Sequence, residues 1–329
     1  MQSPARYNHS MDTREMGTKP LSEDSVVAVH ESRPAAGGLH SRWSYGLLFA
    51  LLLVGLFARP LFSLIGFAAG SSLDSYILLV PAIVVYLLNL QRKEWPPVAS
   101  SPAWAIAPAV VGLISLFWVW YLRSAGLPLS LNDFLTFTIL AFVSFCIAGG
   151  FLFLGKRWMM GAAFPVGFLI FLVPLPEAAV KSLETASEWA SAEAADIFFG
   201  LTGTPELRDG VDFQLPNINI RVAQECSGIH SSLVLFITSL IVSHLLLRTT
   251  WRRAVLVALV IPLGILRNGF RILVIGWLCV HIGPQMIDHP IHHRGGPVFF
   301  VLSLIPLFLL LLGLRRGEQK RSAPAPLSD

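Results

Sequence analysis

Cysteine and charge are both scarce in this chain. Three cysteines (Cys146, Cys226 and Cys279) among 329 residues cannot build a disulfide framework, and their spacing fits no metal-ligand pattern. No metal or other cofactor is expected. Charged residues make up 13% of the chain, about half the share usual in soluble domains. The chain has no internal repeat, which argues against an inverted-repeat transporter. Its first 42 residues hold no apolar core where a signal peptide would carry one. They are polar and rich in Ser, Gly and Pro, and read as a disordered cytoplasmic tail.

What the chain does have is apolar sequence. Hydrophobic residues are 54% of it, with a mean hydropathy of +0.65. The apolar runs are 43–69 (broken at Arg59-Pro60), 76–90, 104–122, 131–154, 160–174, 231–247, 254–281 and 297–314. A bilayer core takes about 20 helical residues, so the expectation is an all-α polytopic membrane protein with about eight transmembrane helices, occupying 43–315. A cytoplasmic C-terminal tail follows over 316–329.

The net charge is +4 and the pI about 9.1, but the basic residues sit at the ends of apolar runs, as membrane topology requires. No nucleic-acid partner is expected. Alternate loops collect them: the tail (Arg6, Arg14, Lys19, Arg33, Arg42), then Arg92-Lys93, Lys156-Arg157, Arg248 with Arg252-Arg253, and finally Arg315, Arg316, Lys320 and Arg321. With eight spans all of these lie on one side, so both termini are expected in the cytoplasm and the long segment 177–230 outside.

That outer insertion, 176–225, has two parts. Residues 177–199 place Val180, Leu183, Ala186, Ala190, Ala194 and Ile197 at helical spacing, which predicts an amphipathic helix at the membrane interface. Val211, Phe213 and Leu215, then Ile218, Ile220 and Val222, alternate with polar residues around Pro216-Asn217, which predicts a small β-hairpin. Its second strand leads to Cys226, just before the sixth span. A cysteine at a helix start lies near unpaired backbone N–H groups and the positive end of the dipole, a setting that favours the thiolate. Cys146 and Cys279, within apolar runs, read as small buried hydrophobes.

Three polar islands stand out: Arg221–His230 around Cys226, Arg267-Asn-Gly-Phe-Arg271 inside the seventh span, and His289–Gly296 before the eighth. Arg271 lies eighteen residues beyond Arg253, about 27 Å along a helix at 1.5 Å per residue, which puts it in the outer leaflet. His292 and His293 fall in the outer loop. Topology alone therefore brings a cysteine, an arginine and histidines to one face. Each has a plain alternative: Arg271 as a snorkelling residue, Asn268 as a helix–helix hydrogen-bonder, the histidines as loop residues. An intramembrane arginine is costly and usually partnered, however, and Arg267 shares a face with Arg271. His230, four residues after Cys226, is a rival base, and Glu225 adjoins the thiol in sequence.

Together the islands resemble the exosortase/archaeosortase family of membrane cysteine transpeptidase-like enzymes. The residues carrying the likeness are Glu225-Cys-Ser-Gly-Ile229, Asn268-Gly-Phe-Arg271 and His292-His-Arg-Gly-Gly-Pro-Val-Phe299. The resemblance implies a catalytic Cys226, Arg271 and His292, with His293 the alternative base and His230 and Arg267 secondary candidates. Glu225, Ser227, Asn268 and Arg267 would contact substrate. Family members often carry arginine where this chain has His230. The implied activity is cleavage of C-terminal sorting signals on exported proteins, with a Pro-Glu-Pro-like motif, one transmembrane helix and a basic tail. It would take place at the outer face of a bacterial inner membrane through a cysteine acyl-enzyme, with water, a glycan or a lipid as acceptor. The rival readings are a transporter using Arg267 and Arg271 as an anion site, a polysaccharide-export scaffold without chemistry, and another membrane hydrolase or acyltransferase.

Overall fold

The structure is a computed structural model that describes residues 37–71, 73–91, 98–216, 218–222, 228–288 and 296–322. Its elements are α1 (Gly37–Leu56), α2 (Ala58–Gly70), a 3-10 turn (Ser75–Leu79) running into α3 (Val80–Leu90), α4 (Pro102–Ser124), α5 (Leu131–Phe153), α6 (Lys156–Gly161) and α7 (Ala163–Phe168), which ends in a second 3-10 turn. Then come α8 (Glu177–Thr202), the strands β1 (Leu207–Asp209), β2 (Asp212–Leu215) and β3 (Ile218–Arg221), α9 (Ile229–Leu246), α10 (Thr250–Ala258), α11 (Val260–His281) and α12 (Gly296–Ser322). The chain is an all-α polytopic membrane protein with one small sheet. Residues 37–42, expected in the tail, already belong to α1.

Among the described residues five helices are long and apolar enough to cross a membrane, seven if each of two bent pairs counts as one span. The bent pairs are α1–α2, at 65°, and α7 with its 3-10 turn against α8, at 92°. Ser75–Leu90 is a shorter apolar helix. Eight spans were expected; the difference falls on the bent and short segments, where local breaks shorten the helix. Arg59-Pro60 follows the first break, and Pro174 and Pro176 lie at the second, because proline removes a donor and resists continuation of a helix. Large side chains such as Leu51, Phe117 and Trp120 are exposed, on faces that lipid covers in a membrane protein.

The second elbow is held by α5. Ser130 caps α5 by accepting from the Asp133 N–H. Asp133 Oδ1 accepts from the Glu177 N–H at 2.9 Å, so its charge sits at the positive start of α8. Asn132 Nδ2 donates to the Leu175 carbonyl and Thr136 Oγ1 to the Pro174 carbonyl. The 3-10 turns and α2, α3 and α5 share a core of Leu64, Ala68, Ile77, Val80, Leu135 and Ile139, joined by Ile237 of α9.

Helix α8 packs along α11, and the face it turns inward is mostly small and polar. Glu188, Ser191, Ala192, Ala194, Ala195 and Phe199 are buried; of the apolar stripe Ala194 is buried, whereas Leu183 and Ile197 are exposed at 47% and 62%. The small side chains permit close approach: a Cβ on Gly269 of α11 would lie 2.6 Å from Ala194 Cβ and 3.0 Å from backbone. Periodicity shows which residues share a face, but in a membrane setting apolarity does not say which face turns inward.

The sheet runs in the order β1-β2-β3, with Phe213 opposite Ile220 and Leu215 opposite Ile218. Phe213, Leu215, Ile220 and Val222 join Ala192, Ala195 and Phe199 of α8 and Ile272 and Leu273 of α11 in one core. β1 is three residues long, too short to show a period in the sequence. Its Arg208 anchors it to α8 through Glu193 at 2.7 Å and Asp196 at 3.0 Å.

Candidate active site

The site is built where α9 starts against the middle of α11. Gly228 caps α9 with a left-handed φ of +70°, a conformation that favours glycine. A side chain there would also collide: an added Cβ would sit 3.0 Å from both Arg267 Nη2 and Asn268 Oδ1. The glycine of the first polar island thus rests directly on the second. The two islands are 39 residues apart in sequence at their closest bond.

Arg267 is the centre of that contact. It is 8% exposed, and its Nη2 donates to the Gly228 carbonyl at 3.0 Å and to Ser232 Oγ at 3.2 Å. The same carbonyl accepts from Ser231 Oγ at 3.0 Å and from the Ser232 N–H at 3.0 Å. Three donors therefore fasten one peptide group, one of them a charged guanidinium whose bonds are roughly twice as strong as neutral ones. Nη1 of Arg267 is buried with no hydrogen-bond partner among the described residues. Asn268 is 2% exposed and is itself engaged. Arg271 lies one helical turn further along α11, half-buried and also engaged.

His230 is the second residue of α9, half-buried, with Nδ1 buried and lacking a hydrogen-bond partner among the described residues. Cys226, Glu225, Ser227, His292 and His293 lie outside the described residues. Arg267, Asn268, Arg271 and His230 are therefore the predicted site residues whose positions are described. The geometry brings Arg267 and Asn268 to the motif glycine and puts Arg271 one turn away. Among the described residues no side chain caps the start of α9, whose first N–H groups and positive dipole end lie at Gly228. Cys279 is buried in the interior and Cys146 partly so.

Two further polar residues belong to this neighbourhood, neither part of a polar island. Ser232 accepts from Arg267; as one serine among several in an apolar run it carries no signal of its own. Asp74 sits in the break between α2 and the 3-10 turn, 6% exposed, as the acidic residue of an otherwise apolar stretch. That isolation between apolar runs was the signal available. Ser71 Oγ donates to its Oδ2 at 2.7 Å. Among the described residues no group of three or more His, Cys, Asp or Glu side chains is placed to hold a metal ion.

A cavity of about 400 Å³ adjoins the site. Its walls come from α8 (Leu183, Ala186), α9 (Ile229, Leu233) and α11 (Ile261, Ile265), with Leu73 and Leu175 at its rim of turns. Residues 69–309 match the family described as transmembrane exosortase. No curated protein and no solved structure matches the chain.

Proposed function

The chain belongs to the transmembrane exosortase family, and from that membership and the site geometry we propose that it is a cysteine transpeptidase or protease acting on C-terminal sorting signals of exported proteins. The observation that carries the reading is the seating of Gly228 on Arg267 and Asn268, which joins the cysteine island to the arginine island. In this mechanism the Cys226 thiolate attacks the carbonyl carbon at the sorting motif. The C–N bond breaks, a thioester forms, and the substrate's transmembrane segment leaves as an amine. His292, or His293 beside it, takes the thiol proton and delivers it to that amine. Arg271 stabilises the tetrahedral oxyanion or holds an acidic residue of the motif. Arg267 holds the motif loop through the Gly228 carbonyl. Water, or an amine or hydroxyl of a glycan or lipid acceptor, then resolves the thioester.

The proposal includes eight spans: the five long helices, the bent pair α1–α2, Ser75–Leu90 and the apolar segment 160–174 before the second elbow, with α8 outside. It also places both termini in the cytoplasm and the site at the outer face of the inner membrane. The alternation of basic loops supports this arrangement. Substrates would carry a Pro-Glu-Pro-like motif, a transmembrane helix and a basic tail.

The test is Cys226→Ala with a co-expressed sorting-signal protein, followed by gel shift and membrane retention of that protein. Accumulation of full-length substrate is expected. Processing at the wild-type rate would remove Cys226 as nucleophile and leave the transporter and scaffold readings.

A further inference from the structure

The two ends of α9 differ in character. Its start rests on Arg267. Its other end, with the start of α10 and the last turns of α12, encloses a second cavity of about 360 Å³. Arg248, Arg253, Arg315 and Glu318 line it, together with Leu245 and Leu246. Three guanidinia and one carboxylate thus share one cavity.

The carboxylate is already engaged. Glu318 Oε2 accepts from the Arg248 N–H at 3.0 Å and Oε1 from the Thr249 N–H at 2.7 Å, which ties α12 to the α9–α10 turn. Arg253 belongs to the same frame: its Nε donates to the Leu247 carbonyl at 2.7 Å and its Nη2 to the His244 carbonyl at 3.4 Å. Arg248 and Arg315 are exposed, and among the described residues their guanidinia make no hydrogen bond or ion pair. The cavity therefore carries excess positive charge on two side chains that the frame does not use. The α5–α6 turn, also basic, is different. There Lys156 Nζ lies over the Trp104 ring at 3.8 Å, its charge met by an aromatic face.

The apolar part of the wall indicates which anion fits. Leu245 and Leu246 are 39% and 41% exposed, on a helix long and apolar enough to cross a membrane. An anion that carries acyl chains satisfies both halves of the cavity, with its phosphate among the arginines and its chains along α9. Guanidinium matches phosphate geometry through paired N–H donors, and basic pockets between membrane helices hold anionic headgroups. A free phosphate would leave the leucines facing water.

We propose that this cavity binds the phosphate headgroup of an anionic phospholipid, with Arg248 and Arg315 as its ligands and Arg253 as a fixed wall. The site lies at the far end of α9 from Gly228 and is independent of the cysteine chemistry proposed above.

The experiment titrates the full-length protein in detergent with phosphatidylglycerol, phosphatidylcholine or inorganic phosphate. Bound lipid is counted by native mass spectrometry, and the thermal midpoint is followed in each arm. The wild type should bind phosphatidylglycerol in preference to phosphatidylcholine, and its midpoint should rise with phosphatidylglycerol concentration. Arg248→Gln combined with Arg315→Gln should weaken that binding by about 25-fold, about fivefold for each charge removed. Lys156→Gln combined with Arg157→Gln takes as much charge from the α5–α6 turn and should leave the binding unchanged. Equal affinity for the two lipids, full affinity in the Arg248/Arg315 variant, or the same loss in the Lys156/Arg157 variant overturns the proposal. A midpoint raised as far by inorganic phosphate as by phosphatidylglycerol overturns the assignment to a lipid. If the double variant does not accumulate, Arg315→Gln alone decides: it must weaken phosphatidylglycerol binding about fivefold, and an unchanged affinity overturns the site.

Discussion

Arg252 and Arg267 lie fifteen residues apart on the same helical stretch, α10–α11, and both are nearly inaccessible, at 6% and 8% exposure. Each keeps one nitrogen without a hydrogen-bond partner among the described residues, Nε of Arg252 and Nη1 of Arg267. Their acceptors differ. Arg252 Nη1 donates to the Leu314 carbonyl of α12 at 2.8 Å, and its guanidinium lies near Gly317 and the Trp251 ring. It ties one helix to another among the basic residues of that end. Arg267 spends its bonds on Gly228 and Ser232, the frame of the motif. Burial of an arginine, costly in either place, does not by itself make a site; the acceptor decides what it does.

The comparison is sharpest if both residues are replaced by methionine, which keeps an unbranched stem and removes the charge and the donors. Arg267→Met should lower sorting-signal processing by about 100-fold, since two charge-assisted bonds of roughly 1.5–3 kcal/mol each are lost from the motif. Arg252→Met should lower the thermal midpoint in detergent while leaving processing per folded molecule within about twofold of wild type. The reverse pattern would break the distinction. A smaller effect is expected for Gly228→Ala, where a left-handed backbone and a 3.0 Å approach to Arg267 combine. Strain of this kind costs about 1–3 kcal/mol, so processing should fall about tenfold while Cys226 remains alkylatable.

The smallest predicted effect lies away from both arginines, in the sheet-bearing region. Burial, then the neighbouring Asp196, pushes the Glu206 carboxyl up from its ordinary 4.5 to about 7. The native state thus holds a proton that the unfolded chain has released, so this group's effect is a loss of stability as pH rises from 4.5 to about 7, complete above that. Glu206→Gln should flatten this slope, read as the thermal midpoint between pH 5 and 8. A slope equal to wild type would assign it to other groups.

Membrane character was legible in the sequence because long apolar runs have few alternatives to spanning a bilayer. The strands β2 and β3 were legible as period-two alternation around Pro216-Asn217, whereas β1, at three residues, is too short to show a period. The inward face of α8 was not legible. In an aqueous protein the apolar face of a helix turns inward, but lipid accepts Leu183 and Ile197 as readily as a core does, so the close fit of Ala194 and Ala195 to Gly269 decided the matter. The burial of Asp74 was not legible, because it depends on how the break between α2 and the 3-10 turn packs against the rest of the chain.

The sequence by itself determined that the protein is apolar and polytopic, that its cysteine, arginine and histidine islands come in a fixed order, and that one cysteine sits in polar surroundings. These are properties of composition and spacing, and they survive any rearrangement of the helices. Tertiary structure alone decided which arginine touches the motif glycine, which face of α8 meets α11, and that Asp74 at the α2–α3 junction is buried. Such contacts depend on how closely helices approach, and that is set by side-chain volumes on two partners at once.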